Sequence, residues 1–268
     1  AFWIDVAAQR NATAGDYAAT ITVFANDSPS SNVQLNIHVW DFQLPLKASL
    51  PTAFSLGKTT GDGGGATYVY GSDYETKGIE QKFWDLLLER RIGMTHLYTT
   101  AAEDFNAITY WAAAGESALQ LKRVNTINHV RDSALATLVT QMSAAGLFGM
   151  AYVYGFDEVN SDMFPTVRDV FNEVHTRYPG LRTMTTAHDA SFGTSPATSY
   201  LRAAVDIWVP VTSGYNQAAA NQRRAEGKDM WWYFAIGPNR SEGYINIMVE
   251  HRAIEPRLVM GLMAYKYQ

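Results

Sequence analysis

The stretch Ala151-Tyr-Val-Tyr-Gly-Phe-Asp157-Glu158 is an apolar, aromatic run that ends in two adjacent carboxylates. A buried strand of a parallel sheet carries almost no charge in its interior, so the acids are expected where the strand ends. In α/β barrels the carboxyl ends of the strands form the face on which the active site is built. The stretch therefore predicts a buried parallel strand, and it makes Asp157 and Glu158 candidate catalytic residues.

The chain after Pro51 alternates short apolar runs with amphipathic helical patterns, which indicates βα units and a parallel sheet. Helices are predicted over 76–91, with Leu86 on its buried side, and over 130–146, 165–178 and 254–267. Segment 101–128 is predicted to be a long loop with inserted small strands at 108–111 and 118–122. Six strands are predicted, starting at Phe54, Met94, Gly149, Leu181, Ile207 and Met230. No strand follows the last helix before Gln268, so we expect an α/β fold of the (β/α)8-barrel type that is incomplete at its C-terminus.

The first 45 residues have the period-two alternation of half-buried strands, with apolar side chains at Val33, Leu35, Ile37 and Val39. A second β-rich run covers 17–24. Two strands cannot form a stable domain alone, so 1–45 is predicted to be the C-terminal part of an antiparallel β-sandwich. Pro45 marks the boundary, and 46–268 is predicted to be the barrel domain.

The composition excludes several classes of function. With 268 residues, 47% apolar residues and a net charge of −5, the chain has the profile of a folded protein that binds neither nucleic acid nor anionic membranes. No cysteine is present, no pair of histidines has metal-ligand spacing, and no phosphate or dinucleotide motif occurs, so neither metal nor cofactor is expected. The Gly61–Gly65 run is interpreted as a mobile loop. No leader or membrane span is visible, and the start at Ala1 rather than Met slightly favours an exported protein whose leader was removed.

Aromatic residues are unusually frequent, with 7 Trp, 15 Tyr and 12 Phe. Most rings belong in a core, but Trp and Tyr also stack on the C–H faces of sugars. The candidates for substrate binding lie within or after predicted strands: Tyr98, Tyr154, His188, Tyr215, Trp231 and Tyr233. For each of them a purely structural role, in the core or in a loop, is the alternative.

The two acids can serve one site only if the chain bends, because successive side chains of a strand point in opposite directions. Residues 159–163 are expected to supply the bend. Glu158, with the longer reach, is assigned the acid/base role, and Asp157 is assigned the stabilisation of positive charge. The alternative is that Asp157 caps the next segment while Glu158 is solvated.

Three motifs resemble those of glycoside hydrolase family 123, the β-N-acetylgalactosaminidases: Val39-Trp-Asp-Phe-Gln-Leu-Pro45, Tyr154-Gly-Phe-Asp157-Glu158 and Trp231-Trp-Tyr233. The resemblance implies a (β/α)8 barrel behind a β-sandwich, and retaining hydrolysis in which the substrate's 2-acetamido oxygen attacks the anomeric carbon. It implies that Glu158 is the general acid/base and that Asp157 holds the acetamido N–H. Val159 follows the acids where the family often has Pro, and the family's final strand segment is absent.

The sequence thus predicts a glycosidase that releases terminal N-acetylhexosamine from a glycan. Two alternatives remain open. One is a non-catalytic carbohydrate-binding protein on the same scaffold, and the other is a glycosidase for sugars that lack the acetamido group.

Overall fold

The computed structural model describes residues 4–25, 28–55, 69–247 and 252–267. The Gly61–Gly65 run, interpreted from the sequence as a loop, lies outside these ranges. The chain divides into two compact units, Ala1–Pro45 and Leu46–Gln268.

The first unit contains an antiparallel pair of strands, β1 (Gly15–Ala25) and β2 (Ser28–Val39). Ile21 lies opposite Val33 and Ala19 opposite Leu35, so the apolar positions of the two strands share one face. The β-rich pattern predicted both strands. The sandwich to which they were assigned stays a prediction.

The second unit has a mixed α/β architecture with parallel strands. β3 (Phe54–Ser55) pairs with β4 (Met94–Thr95). A five-stranded sheet follows in chain order, made of β5 (Leu119–Arg123), β6 (Ala151–Tyr154), β7 (Arg182–Thr185), β8 (Ile207–Trp208) and β9 (Asp229–Met230). Neighbouring strands of this sheet are consecutive in sequence and parallel, which is the order that repeated βα units produce.

The helices of this unit have the following bounds: α1 Asp73–Thr76, α2 Ile79–Glu89, α3 Phe105–Ala114, α4 Ile127–Val130, α5 Ser133–Ala144, α6 Phe164–Arg177, α7 Gln217–Ala225, α8 Ile254–Arg257 and α9 Ala264–Tyr267. A π-helical segment, Leu258–Met263, joins the last two. In the ranges that the structure describes, no helix is both long and apolar enough to cross a membrane.

The core has two layers because alternate residues of each strand face opposite sides of the sheet. Val153 of β6 belongs to the larger cluster, which the helices cover; α6 contributes Val167, Val170, Phe171 and Val174 to it. Tyr152 and Tyr154 belong to a smaller cluster on the opposite face, together with Ala118, Met184, Ile207 and Val209. This second face carries the candidate site.

The prediction of a strand at 108–111 was wrong, because α3 (Phe105–Ala114) covers these residues. Asp104 caps the helix by accepting a hydrogen bond from Ala107 N, and Gly115 ends it in a left-handed conformation with φ of 111°. Ile108 and Trp111, three residues apart, form its buried face. The β-branched and aromatic residues had suggested a strand, but the caps at both ends favour a helix.

The strand at 118–122 was predicted correctly but was assigned to an insertion, whereas β5 is part of the five-stranded sheet. The described part of the chain thus has seven parallel strands after Pro51 rather than six. The helix predicted over 76–91 begins only at Ile79, after left-handed Gly78, and Leu86 is exposed while Trp84 and Leu88 are buried.

Candidate active site

The two acids follow β6 at a sharp bend of the backbone. Phe156 and Glu158 have positive φ angles of 58° and 51°, a region that costs an L-residue about 1–2 kcal/mol. Asn125 Oδ1 accepts a hydrogen bond from Phe156 N (2.8 Å), and Thr185 Oγ1 donates one to Phe156 O (3.0 Å). The sequence had suggested a bend in the loop 159–163, but the bend lies at the acids themselves. Hydrogen bonds with residues in or after the neighbouring strands β5 and β7 hold it in place.

Asp157 is half-buried, and one of its carboxylate oxygens accepts hydrogen bonds from two hydroxyl groups. Tyr154 OH and Thr186 Oγ1 both donate to Asp157 Oδ1, the second over 3.1 Å. Oδ2 receives neither of these bonds. These two hydrogen bonds fix the carboxylate at the end of β6.

Glu158 is exposed, and it has contacts through both its side chain and its backbone. Tyr233 OH donates a hydrogen bond to Glu158 Oε1, and Glu158 N donates one to Thr186 Oγ1 (2.9 Å). The carboxyl group thus lies against the segment that follows β9. The acid does not extend freely into solvent.

Both acids line a single cavity of about 620 Å³. Aromatic residues make up much of its wall: Phe54, Tyr98, Tyr154, Trp231, Trp232, Tyr233, Phe234 and Tyr267. Trp231 packs against Tyr152 with ring centroids 6.3 Å apart. A cavity of this size accommodates one or two sugar rings, and its combination of apolar walls with a few polar groups is typical of ligand sites.

Three phenols next to the acids have raised pKa values. Burial raises the pKa of Tyr154 well above its usual range, and the charge of Asp157 raises it further. Burial and then Asp157 raise the pKa of Tyr98, while burial and then a hydrogen bond to Glu158 raise that of Tyr233. At neutral pH all three phenols keep their protons and act as hydrogen-bond donors.

The structure brings six of the eight residues predicted for the site to this cavity: Tyr98, Tyr154, Asp157, Glu158, Trp231 and Tyr233. His188 and Tyr215 are not among the described residues that line it. His188 is exposed and lies 3.3 Å from Asn160 Oδ1. Tyr215 packs edge-on against Trp232 and accepts a hydrogen bond from Arg224.

Thr186 is a polar residue of the site, in contact with both acids, that the sequence analysis missed. It follows β7, the neighbour of β6, and it is buried beside both acids. Polar residues at the carboxyl ends of strands had indicated Tyr98 and His188, and the same rule applied to Thr186 would have found it. Within the part of the chain that is described, no group of three or more His, Asp or Glu side chains is arranged to hold a metal ion.

Comparisons with known proteins give similarity only at the level of solved structures. No protein-family model matches the sequence, and no curated protein matches it. A solved structure of a family 123 glycoside hydrolase from Clostridium perfringens, studied for glycolipid glycan hydrolysis, is similar at 14% identity with a TM-score of 0.47. The alignment covers 84% of this chain and 50% of that one, so the chain spans about half the length of the neighbour. A similarity this distant leaves function to be inferred from the site itself.

Proposed function

We propose that this protein is a glycoside hydrolase that releases terminal N-acetylhexosamine, with β-N-acetylgalactosamine as the preferred sugar, by a retaining, substrate-assisted mechanism. One observation carries the proposal: two sequence-adjacent carboxylates, Asp157 and Glu158, line the same ring-walled cavity. The motif resemblance to family 123 supports the choice of sugar and mechanism.

In the proposed mechanism the substrate supplies its own nucleophile, as in the glycosidase families that depart from the two-carboxylate scheme. The 2-acetamido oxygen bonds to C1 as the C1–O bond to the leaving group breaks, and Glu158 gives its proton to the departing oxygen. A water molecule then attacks C1 of the oxazolinium intermediate, Glu158 takes the water's proton, and the acetamido oxygen leaves C1. Tyr233 donates to Oε1 of Glu158, which leaves Oε2 for the proposed proton transfer.

Asp157 has the second role in this mechanism. Its Oδ1 already accepts two hydroxyl groups, and Oδ2 accepts the acetamido N–H and stabilises the positive charge that develops on the oxazolinium ring. An intramolecular nucleophile leaves two tasks for protein carboxylates, which fits the presence of two adjacent acids at the end of one strand.

The (β/α)8-type barrel is part of the same proposal. The seven parallel strands support it, and so does the contact of Phe54 in β3 with Phe234 after β9, whose ring centroids lie 6.5 Å apart. This contact brings the first strand of the series next to the segment that follows the last strand, where both line one cavity. In the same way, β1 and β2 are proposed to belong to a β-sandwich.

Hydrolysis of aryl N-acetyl-β-D-galactosaminides by the full chain tests this function. Glu158→Gln should lower kcat/KM by about 10²–10⁴-fold, because an amide cannot donate the proton, and the loss should grow with the basicity of the leaving group. Asp162→Asn, which removes an exposed carboxylate from the loop after the acids, is the matched control and should keep full activity.

The outcomes separate the alternatives. Equal turnover of 2-acetamido and 2-hydroxy glycosides would exclude assistance by the acetamido group and favour a glycosidase for other sugars. Binding of N-acetylgalactosamine without hydrolysis would favour a carbohydrate-binding protein. Unchanged turnover by Glu158→Gln would contradict the assigned acid.

A further inference from the structure

The hydroxyl group of Thr186 lies at the centre of the site and contacts three of its groups. Thr186 Oγ1 is 3.0 Å from Tyr154 OH, 3.1 Å from Asp157 Oδ1 and 2.9 Å from Glu158 N. The residue is buried and follows β7, so its own position is fixed by the sheet. One side chain of a neighbouring strand thus contacts both acids.

The donor and acceptor capacity of the threonine hydroxyl determines the direction of each hydrogen bond. A hydroxyl has one proton to donate and two lone pairs to accept. The proton is directed to Asp157 Oδ1, and Oγ1 accepts the N–H of Glu158. Tyr154 also gives its proton to Asp157 Oδ1, so that oxygen is saturated and the carboxylate cannot rotate without losing two hydrogen bonds.

The hydrogen bond between Glu158 N and Thr186 restrains a backbone segment in an unfavourable conformation. Glu158 has a φ of 51°, a conformation that an L-residue keeps only when its surroundings hold it. The bond to Thr186 is one such restraint, and it belongs to the residue whose side chain is the proposed acid. Loss of the hydroxyl would remove one restraint from the Asp157 side chain and one from the Glu158 backbone together.

We infer that Thr186 is a positioning residue that sets the relative placement of the two catalytic carboxylates by bonding to the side chain of one and to the backbone of the other. This inference rests on the proposed function. It assigns to Thr186 no hydrogen bond of its own with the substrate, so its effect should appear mainly in the catalytic step.

The test compares Thr186→Val, which keeps the shape and removes the hydroxyl, with Thr186→Ser, which keeps the hydroxyl. Thr186→Val should lower kcat about 10²-fold with KM within about twofold, because a displacement of about 1 Å at reacting groups has an effect of this size. Thr186→Ser should recover most of kcat. A change of KM alone, or equal losses in both variants, would overturn the inference.

Thr183→Val is the matched control. Thr183 is a buried residue of β7, the strand that Thr186 follows, and its hydroxyl donates to Ala204 O (2.7 Å), away from the acids. This variant should lower stability and leave kcat of the folded protein unchanged. An equal fall in kcat in Thr183→Val would show that any buried hydroxyl of β7 matters, and would overturn a specific role for Thr186.

Crystal structures of the wild type and Thr186→Val make the test independent of the reaction. In the variant, the Glu158 backbone should leave its positive φ or the Asp157 side chain should rotate away from Tyr154. An unchanged geometry at both acids would overturn the inference even if no glycoside were hydrolysed. Inactivity of the wild type would instead contradict the proposed function.

Discussion

Gly155 is the residue that allows the chain to reach the bend at the acids. A Cβ atom at this position would lie 2.0 Å from Val124 O and 3.2 Å from Phe171 Cε1, and Val124 N also binds Tyr154 O over 2.7 Å. β6 and the chain after β5 are therefore in direct backbone contact here. Only glycine permits this approach just before Asp157 and Glu158.

Gly155→Ala should lower the free energy of unfolding by about 3 kcal/mol, because the methyl group meets backbone that cannot move away. It should also abolish turnover in the remaining folded protein, since the bend would shift. Gly149→Ala, also close to β6 but with nothing within 4 Å of its added methyl group, is the control and should be tolerated. Urea unfolding of both variants measures the difference, and equal midpoints would contradict this account.

At the residue scale, the sequence predicted which residues lie at the candidate site. It did not predict the backbone conformation that brings them together. The apolar run before Asp157 and Glu158 places both acids at a strand end, because burial excludes charge from the strand interior. The positive φ angles of Phe156 and Glu158 could not be predicted, since neither residue type favours them. They are imposed by partners such as Asn125 and Thr186, which are distant in sequence.

At the scale of elements, Asp206 joins three parts of the fold just before β8. It accepts hydrogen bonds from His175 in α6 (2.8 Å), from Thr183 N in β7 (2.9 Å) and from Lys228 beside β9. Burial alone would raise the pKa of Asp206, but these hydrogen bonds outweigh it and hold the pKa far below its usual range. The ionised carboxylate therefore stabilises the folded state.

The pH dependence of this contribution follows from the sign of the shift. Because the folded-state pKa is depressed, the stabilisation is complete above the unfolded-state value of about 3.9 and is lost as the pH falls toward the folded-state pKa. Asp206→Asn should cost about 2 kcal/mol at pH 7, and its difference from the wild type should shrink below about pH 4.

Urea unfolding between pH 7 and pH 3 measures this difference. Asp229→Asn is the control, because the Asp229 side chain is about half exposed and pairs with Arg182 near the surface, where ion pairs contribute little. A cost of Asp206→Asn that does not change with pH would exclude ionisation as the origin of the stabilisation.

A second polar cluster lies between α2, β4 and α3. His96 is buried, with Nε2 2.5 Å from Glu80 Oε1 and Nδ1 3.0 Å from Glu103 Oε1. Each ring nitrogen of His96 thus contacts one carboxyl group. The ring also packs edge-on against the stacked pair Trp84 and Trp111, which ties the cluster to the core.

His96→Phe should destabilise the protein by about 3 kcal/mol, since Glu103 would remain buried without its histidine partner. The double variant His96→Phe/Glu103→Leu should recover much of this loss, because the apolar replacement also removes the buried carboxyl group. Thermal unfolding of the single and double variants tests the pairing. A double variant that is less stable than the single one would contradict it.

Elements were predictable where burial and periodicity agreed. Helix α6 has Pro165 in its first turn and an apolar stripe through Val174, and both signals appear in the sequence. Helix α3 was missed because Ile108 and Trp111 favour strands by residue type, whereas Asp104 and Gly115 determine the ends of a helix. The place of β5 in the main sheet depends on its pairing with β6, which no local pattern encodes.

At the scale of the molecule, the unit Leu46–Gln268 carries all the groups that the proposed reaction needs. Its parallel strands carry polar side chains at their carboxyl ends, and the residues after β4, β6, β7 and β9 meet in one cavity. The sequence predicted this convergence from the general rule for parallel α/β folds. The contact of Tyr233 with Glu158, across 75 residues of sequence, required the folded structure.

The most direct test of the central claim is a crystal structure of the Glu158→Gln variant with N-acetylgalactosamine bound. The account predicts the sugar in the 620 Å³ cavity, in contact with Trp231 or Tyr233, with its acetamido N–H within hydrogen-bond distance of Asp157 Oδ2. A sugar bound elsewhere, or one whose acetamido group points away from Asp157, would contradict it.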